Sequence, residues 1–96
     1  MIVWSKTAEA DLLNLDEYLS DRSMIAEKLI DRIVSAIEAL EDFPRAGRIG
    51  RVFGTRELVI SDTPYLVAYR IADEDIQILA VLHEARRWPK NFNTPR

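Results

Sequence analysis

The chain has 96 residues, with 16 Asp and Glu against 13 Lys and Arg, a net charge of −3, one His and no Cys. Those numbers exclude a disulfide scaffold, a thiolate metal centre, a Cys nucleophile and a His-rich metal site, and they predict one domain over residues 1–96 with one modest core. No run of about 18 apolar residues is present to span a membrane, and the first residues lack the basic and long apolar segments of a signal peptide. A cytoplasmic protein is expected, with no cofactor and no metal.

The charge is unevenly spread. Residues 1–43 carry four bases and ten acids, whereas residues 44–96 carry nine bases and six acids. This split predicts two electrostatically different faces, although acidic helix exteriors are also common as plain solvated surface.

Residues 1–4 form a short apolar run that predicts a strand, and Ser5 or Thr7 is placed to cap a following helix. Ala8, Leu12, Leu15 and Leu19 recur at helical spacing and mark one apolar stripe. The polar stretch Ser20-Asp21-Arg22-Ser23 interrupts it. A second helix is predicted over 24–42, with Ala26, Leu29, Ile30, Ile33, Ile37 and Leu40 on its buried side. Pro44 ends it, because the residue before a proline is pushed out of the α region. So short a link predicts an antiparallel helix hairpin.

The character changes over 44–54. All three glycines lie here, with Arg45, Arg48 and Arg51 between them, which reads as a basic, flexible loop. Helical periodicity then disappears. Residues 57–60 read as a strand, Asp62-Thr63-Pro64 as a turn, and 65–71 as a strand with Tyr65, Val67, Tyr69 and Ile71 on one face and Leu66, Ala68 and Arg70 on the other. After the turn Asp73-Glu74-Asp75, residues 76–82 are almost wholly apolar, as expected of a strand covered on both faces. The order β-α-α-β-β-β predicts an α+β fold in which the helix hairpin covers one face of an antiparallel sheet. The other face, or part of it, is left for solvent or a partner.

The runs Gly54-Thr55-Arg56-Glu57-Leu58, Pro64-Tyr65, Tyr69-Arg70-Ile71 and His83-Glu84-Ala85-Arg86-Arg87-Trp88-Pro89 carry a resemblance. Each is short, but in this order and spacing the chain resembles the RelE/ParE superfamily, the toxins of type II toxin–antitoxin modules. The resemblance implies a twisted antiparallel sheet against two N-terminal helices. It also implies a cognate antitoxin whose C-terminal segment wraps and silences the toxin, a form of coupled folding onto a groove or sheet edge. Two branches are known: RelE-like ribonucleases that cut mRNA in the ribosome, and ParE-like toxins, associated with plasmid stabilisation, that inhibit growth by poisoning DNA gyrase.

Cleavage of RNA by 2′-OH attack needs a base, a cation on the phosphorane and an acid for the leaving oxygen. The resemblance would put an Arg after the aromatic that opens the middle strand, where this chain has Leu66. No basic pair precedes that strand, since Ser61-Asp62-Thr63-Pro64 is neutral or acidic, and no Tyr follows the last strand. What remains for a nuclease is His83, Arg86 and Arg70. His83 has the only side chain with an ordinary pKa near neutrality, and its plainer role is to close the strand end by hydrogen bonding to backbone. Arg70 is either a ligand for a partner carboxylate or an ion pair with Glu57 across the hairpin. Arg45, Arg48, Arg51, Arg56, Arg70, Arg86 and Arg87 are the candidate partner contacts, with solvated loop as the plainer alternative. Trp4, Tyr18 and Trp88 read as packing residues, the last pinning the tail. A net negative chain is poorly suited to direct nucleic-acid binding, where phosphate contacts dominate affinity. The sequence therefore points to a ParE-like, non-enzymatic toxin directed at gyrase. An mRNA endoribonuclease and an inactive antitoxin-binding member are the alternatives.

Overall fold

The computed structural model describes residues 1–18, 23–85, 88, 89 and 92, with the side chains of 23–26 left aside. The predicted Leu19 and Ala26 contacts, and the tail arginines Arg86 and Arg87, lie outside the described residues. Strand β1 (Ile2–Trp4) leads into helices α1 (Lys6–Tyr18) and α2 (Ser23–Glu38), and α2 tightens into a 3₁₀ turn at Ala39–Glu41. Strands β2 (Arg48–Ile49), β3 (Arg56–Val59), β4 (Tyr65–Ala72) and β5 (Asp75–His83) follow. They form one sheet in the order β1-β5-β4-β3-β2.

The α+β class and the expected succession of elements are observed, and two details differ. The sheet is mixed: β3, β4 and β5 form the predicted antiparallel meander, but β1 lies parallel to β5, with Ile2 opposite Ile76 and Trp4 opposite Ile78. Parallel neighbours need a long connection, and everything from α1 to β4 supplies it. The second difference is β2, a two-residue strand inside the segment read as a loop, with Arg48 opposite Glu57 and Ile49 opposite Arg56.

The helix stripe packs as its spacing predicts. Ala8 and Leu15 from α1 and Ile33 and Ile37 from α2, with Leu40 of the following turn, meet Val67, Tyr69, Ile76, Ile78 and Val81 of the sheet in one buried cluster. Trp4 packs against this cluster, whereas Tyr18 stands largely exposed at the end of α1. The opposite face of the sheet is also closed at its centre. Leu66, Ala68, Leu79 and Ala80 are essentially inaccessible, so the middle of that face is not left to solvent or a partner. Trp88 is stacked on the Arg51 guanidinium that binds Glu57, which brings the tail to the side of the sheet where Glu57 points.

The ladder between β4 and β5 is irregular at one place. Ala68 faces Ala80 and Tyr69 faces Ile78, so Leu79 is a bulge residue. The start of α1 satisfies the groups that this bulge and the short β1 leave open. Ser5 donates its backbone N–H to the Ile78 carbonyl and its hydroxyl to the Leu79 carbonyl, at 2.9 and 3.0 Å. The same hydroxyl accepts the Ala8 N–H at 3.0 Å, so Ser5, rather than Thr7, caps the helix. One turn on, the Asp11 carboxylate accepts the Val81 N–H at 3.0 Å. Helix α1 is thus tied to the sheet edge by polar bonds as well as by its apolar stripe.

Substituting Ser5→Ala removes the helix cap and strands the buried Leu79 carbonyl. The expected loss is about 1–2 kcal/mol of unfolding free energy, read as a lower urea midpoint with an unchanged denaturant slope.

Candidate partner-binding surface

The glycine- and arginine-rich segment is held by the sheet beneath it. Tyr69, fully buried on β4, donates its hydroxyl to the Pro44 carbonyl at 2.7 Å and accepts the Gly47 N–H at 2.8 Å. Gly47 is needed for this approach, because a Cβ there would lie 2.6 Å from the Tyr69 ring. Arg56 donates Nη1 to the Gly47 carbonyl at 2.8 Å. Gly50 N–H bonds the Thr55 carbonyl at 2.8 Å, and the turn between them reverses at Gly54, whose φ of 79° favours glycine. The segment is a shaped, hydrogen-bonded loop, not the flexible one that its glycines predict.

Its centre is Glu57, a carboxylate only 3% exposed. Arg48 donates Nη2 and Nε to Oε1 at 3.0 and 3.2 Å, and Arg51 donates its backbone N–H and its Nε to Oε2 at 2.8 and 3.2 Å. Burial by itself raises the Glu57 pKa. The Arg51 backbone and side-chain bonds and the Arg48 bond more than offset it, and the carboxyl is held below its ordinary value. Of the two readings of Arg70, the ion pair with Glu57 does not form. Glu57 faces Ala68 across the β3–β4 ladder, and Arg70 faces Gln77 across the β4–β5 ladder. Arg51 also stacks its guanidinium 3.5 Å above the Trp88 ring centroid, so Trp88 pins the tail to this loop.

The candidate contacts therefore divide. Arg48, Arg51 and Arg56 are engaged within the chain, although the side chains of Arg48 and Arg51 remain about half exposed. Arg45 is exposed and Arg70 half-buried on the far face. Two apolar residues that the sequence reading passed over stand out beside them, Ile49 at 81% exposed and Phe53 fully exposed, together with Ile71 at 37%. Together with Arg45, Arg56 and the turn, they line a shallow depression of about 620 Å³. The apolar character of Ile49 and Phe53 in an otherwise polar loop was the signal in the sequence.

Of the residues proposed for nuclease chemistry, Arg86 lies outside the described residues, and His83 and Arg70 stand apart. His83 faces Tyr65 at the far end of the β4–β5 hairpin, edge to face at 5.3 Å. Arg70 is five residues further along β4, roughly 17 Å at about 3.3 Å per residue, and its side chain alternates onto the other face. His83 Nδ1 accepts the Ala85 N–H at 3.0 Å. That bond to backbone at the strand end is the plainer role expected of His83. Among the described residues, no three His, Asp or Glu side chains converge into a group that could hold a metal ion, and no helix is long and apolar enough to cross a membrane.

The Glu57 cluster gives a pH signature. With its pKa below the unfolded value, the ionised cluster contributes its full stability above the ordinary carboxylate range of roughly pH 4–5. That contribution fades as pH falls through the lowered folded value. Glu57→Gln is expected to lower stability at pH 7 by about 1–3 kcal/mol and to flatten this acid limb in urea unfolding measured from pH 7 to pH 3.

The family model described as ParE toxin of type II toxin–antitoxin system, parDE, matches residues 2–88. The Sinorhizobium fredii toxin Y4kP is 39% identical over 90 residues, covering 93% of each chain. Toxin RelE2 of Caulobacter vibrioides is 33% identical over 86 residues, covering 88% of this chain and 96% of that one. In structure, a chain of the chromosomal ParDE toxin–antitoxin system from P. aeruginosa superposes with a TM-score of 0.76 at 27% identity, covering 85% of this chain and 92% of its own. The chain belongs to the ParE toxin family of type II toxin–antitoxin systems.

Proposed function

We propose that this toxin arrests growth by binding and poisoning DNA gyrase, and that a cognate antitoxin neutralises it through the basic loop. The observation that carries this reading is Leu66. It occupies the position where resemblance to the nuclease branch calls for a phosphate-binding Arg, and it is completely buried in the middle of the far face. A buried leucine neither binds phosphate nor moves a proton. The separation of Arg70 from His83 and the backbone bond on His83 Nδ1 support the same reading. Catalysis by general acid and base needs both groups within hydrogen-bond reach of one reacting centre.

A protein-binding toxin needs surface rather than a proton relay. The loop offers it in Arg45 and the half-exposed side chains of Arg48 and Arg51. Acidic residues of an antitoxin tail would complement them at the rim of an interface, where charge sets partner choice and association rate. The same chemistry assigns Arg86 and Arg87 to partner contact.

Purified toxin is expected to inhibit gyrase supercoiling and to accumulate cleaved DNA at micromolar concentration, and His83→Ala is expected to leave both effects intact. Cuts in translated mRNA by primer extension, lost in His83→Ala, would replace this reading with the endoribonuclease. Absence of growth arrest on overexpression, with antitoxin binding retained, would reduce the protein to an antitoxin-binding member.

A further inference from the structure

We infer that the groove between the end of α2 and strand β3 receives a second copy of this chain, in a two-fold pair that seats Phe43 of each molecule against the groove of the other. The groove encloses about 320 Å³ and is almost wholly apolar. Ala36 and Ala39 line it from the helical side, Leu58 and Val59 from β3, and Ala46 from the segment that follows the helices. The three alanines leave space that longer side chains would fill. Phe43 stands at the rim, 68% exposed, and beyond it a second depression continues over Pro44 and Arg45. Exposed apolar side chains gathered in this way mark contact surfaces.

The charges beside Phe43 define the occupant. Asp42 and Arg45 flank Phe43 and Pro44 in the chain. Both are exposed, and neither makes an ion pair or a side-chain hydrogen bond among the described residues. Arg32, which also lines the groove, is already held by the Ser61 carbonyl at 2.9 Å and by the Asp62 carboxylate at 3.6 Å. The uncommitted charges are therefore one acid and one base with an aromatic between them. A strongly acidic or strongly basic segment laid here would meet a like charge. A second copy does not, because a two-fold axis sets residue i of one molecule against residue j of the other, and j against i. Asp42 of each molecule then meets Arg45 of the other, and the two Phe43 rings meet near the axis, over the hollows that the alanines leave. Aromatic groups at the centre and charges at the rim are the ordinary anatomy of a protein interface. The patch is small, so the pair belongs among weak, reversible associations.

The inference does not depend on the target of the toxin. The test uses the whole chain alone, with its mass followed by sedimentation from about 5 μM to about 1 mM. The mass is expected to rise from one chain towards two, with a midpoint on the order of 100 μM. Phe43→Ser should weaken the association at least about ten-fold, whereas Phe53→Ser, at the β2 loop, should leave it unchanged. Asp42→Arg and Arg45→Asp should each weaken it about ten-fold by setting like charges together. The chain carrying both charge exchanges should pair to within about three-fold of the unaltered one, and so should an equimolar mixture of the two single variants. All these positions are exposed, so thermal midpoints at low concentration should not move. Three results would overturn the proposal: the mass of one chain at about 1 mM, an association that survives Phe43→Ser or is abolished by Phe53→Ser, or a double charge exchange that pairs no better than either single one.

Discussion

A single carboxylate collects the basic half of this molecule. Glu57 points out of β3 into a nearly closed position, and there it draws in two guanidiniums and one backbone amide. Leaving such a group buried and unpaired would cost several kcal/mol, so the segment from Pro44 to Thr55 is shaped around satisfying it. Arg48 reaches it from β2 and Arg51 from the following turn. Arg51 carries the constraint one step further by stacking on Trp88. Loop, sheet and tail meet at one charge cluster, and the arginines that look like free partner contacts in the sequence are partly committed to it.

The helical layer is fastened in a comparable way at the opposite edge of the sheet. β1 covers only the first part of β5, and a bulge at Leu79 disturbs the ladder just beyond. Ser5 and Asp11 place side-chain oxygens where a longer strand would have placed backbone. Both edges are thus partly covered, one by a helix start and the other by a two-residue strand. The difference lies in what is left. At the β5 edge polar side chains occupy open backbone groups, whereas beyond β2 the Ile49 backbone faces solvent between apolar side chains and arginines.

The proposed reading, a toxin that acts by binding protein, rests on the following features. The far face is filled by Leu66, Ala68, Leu79 and Ala80, the sole histidine spends one ring nitrogen on backbone, and Arg70 sits at the other end of its hairpin. The chain's negative total charge resides in the helical half, away from the basic loop.

The sequence by itself determined the class of fold, because hydrophobic period is a local property. The stripes at Ala8, Leu12 and Leu15 and at Ile33, Ile37 and Leu40 demanded helices with one buried side, and the alternation through Tyr65, Val67 and Tyr69 demanded a strand with a buried face. The motifs around Gly54, Tyr69 and His83 determined the family. Only the tertiary structure decided the direction of β1, the existence of β2 and the partner of Glu57. A three-residue strand has no period to reveal its direction, and a two-residue strand exists only where a neighbour receives it. Ion pairing follows which side chains a register brings together, and Arg70 and Glu57 fall on different pairs of the ladder. For the same reason Leu66 was legible as an apolar residue but not as an inaccessible one, since burial is conferred by everything packed above it.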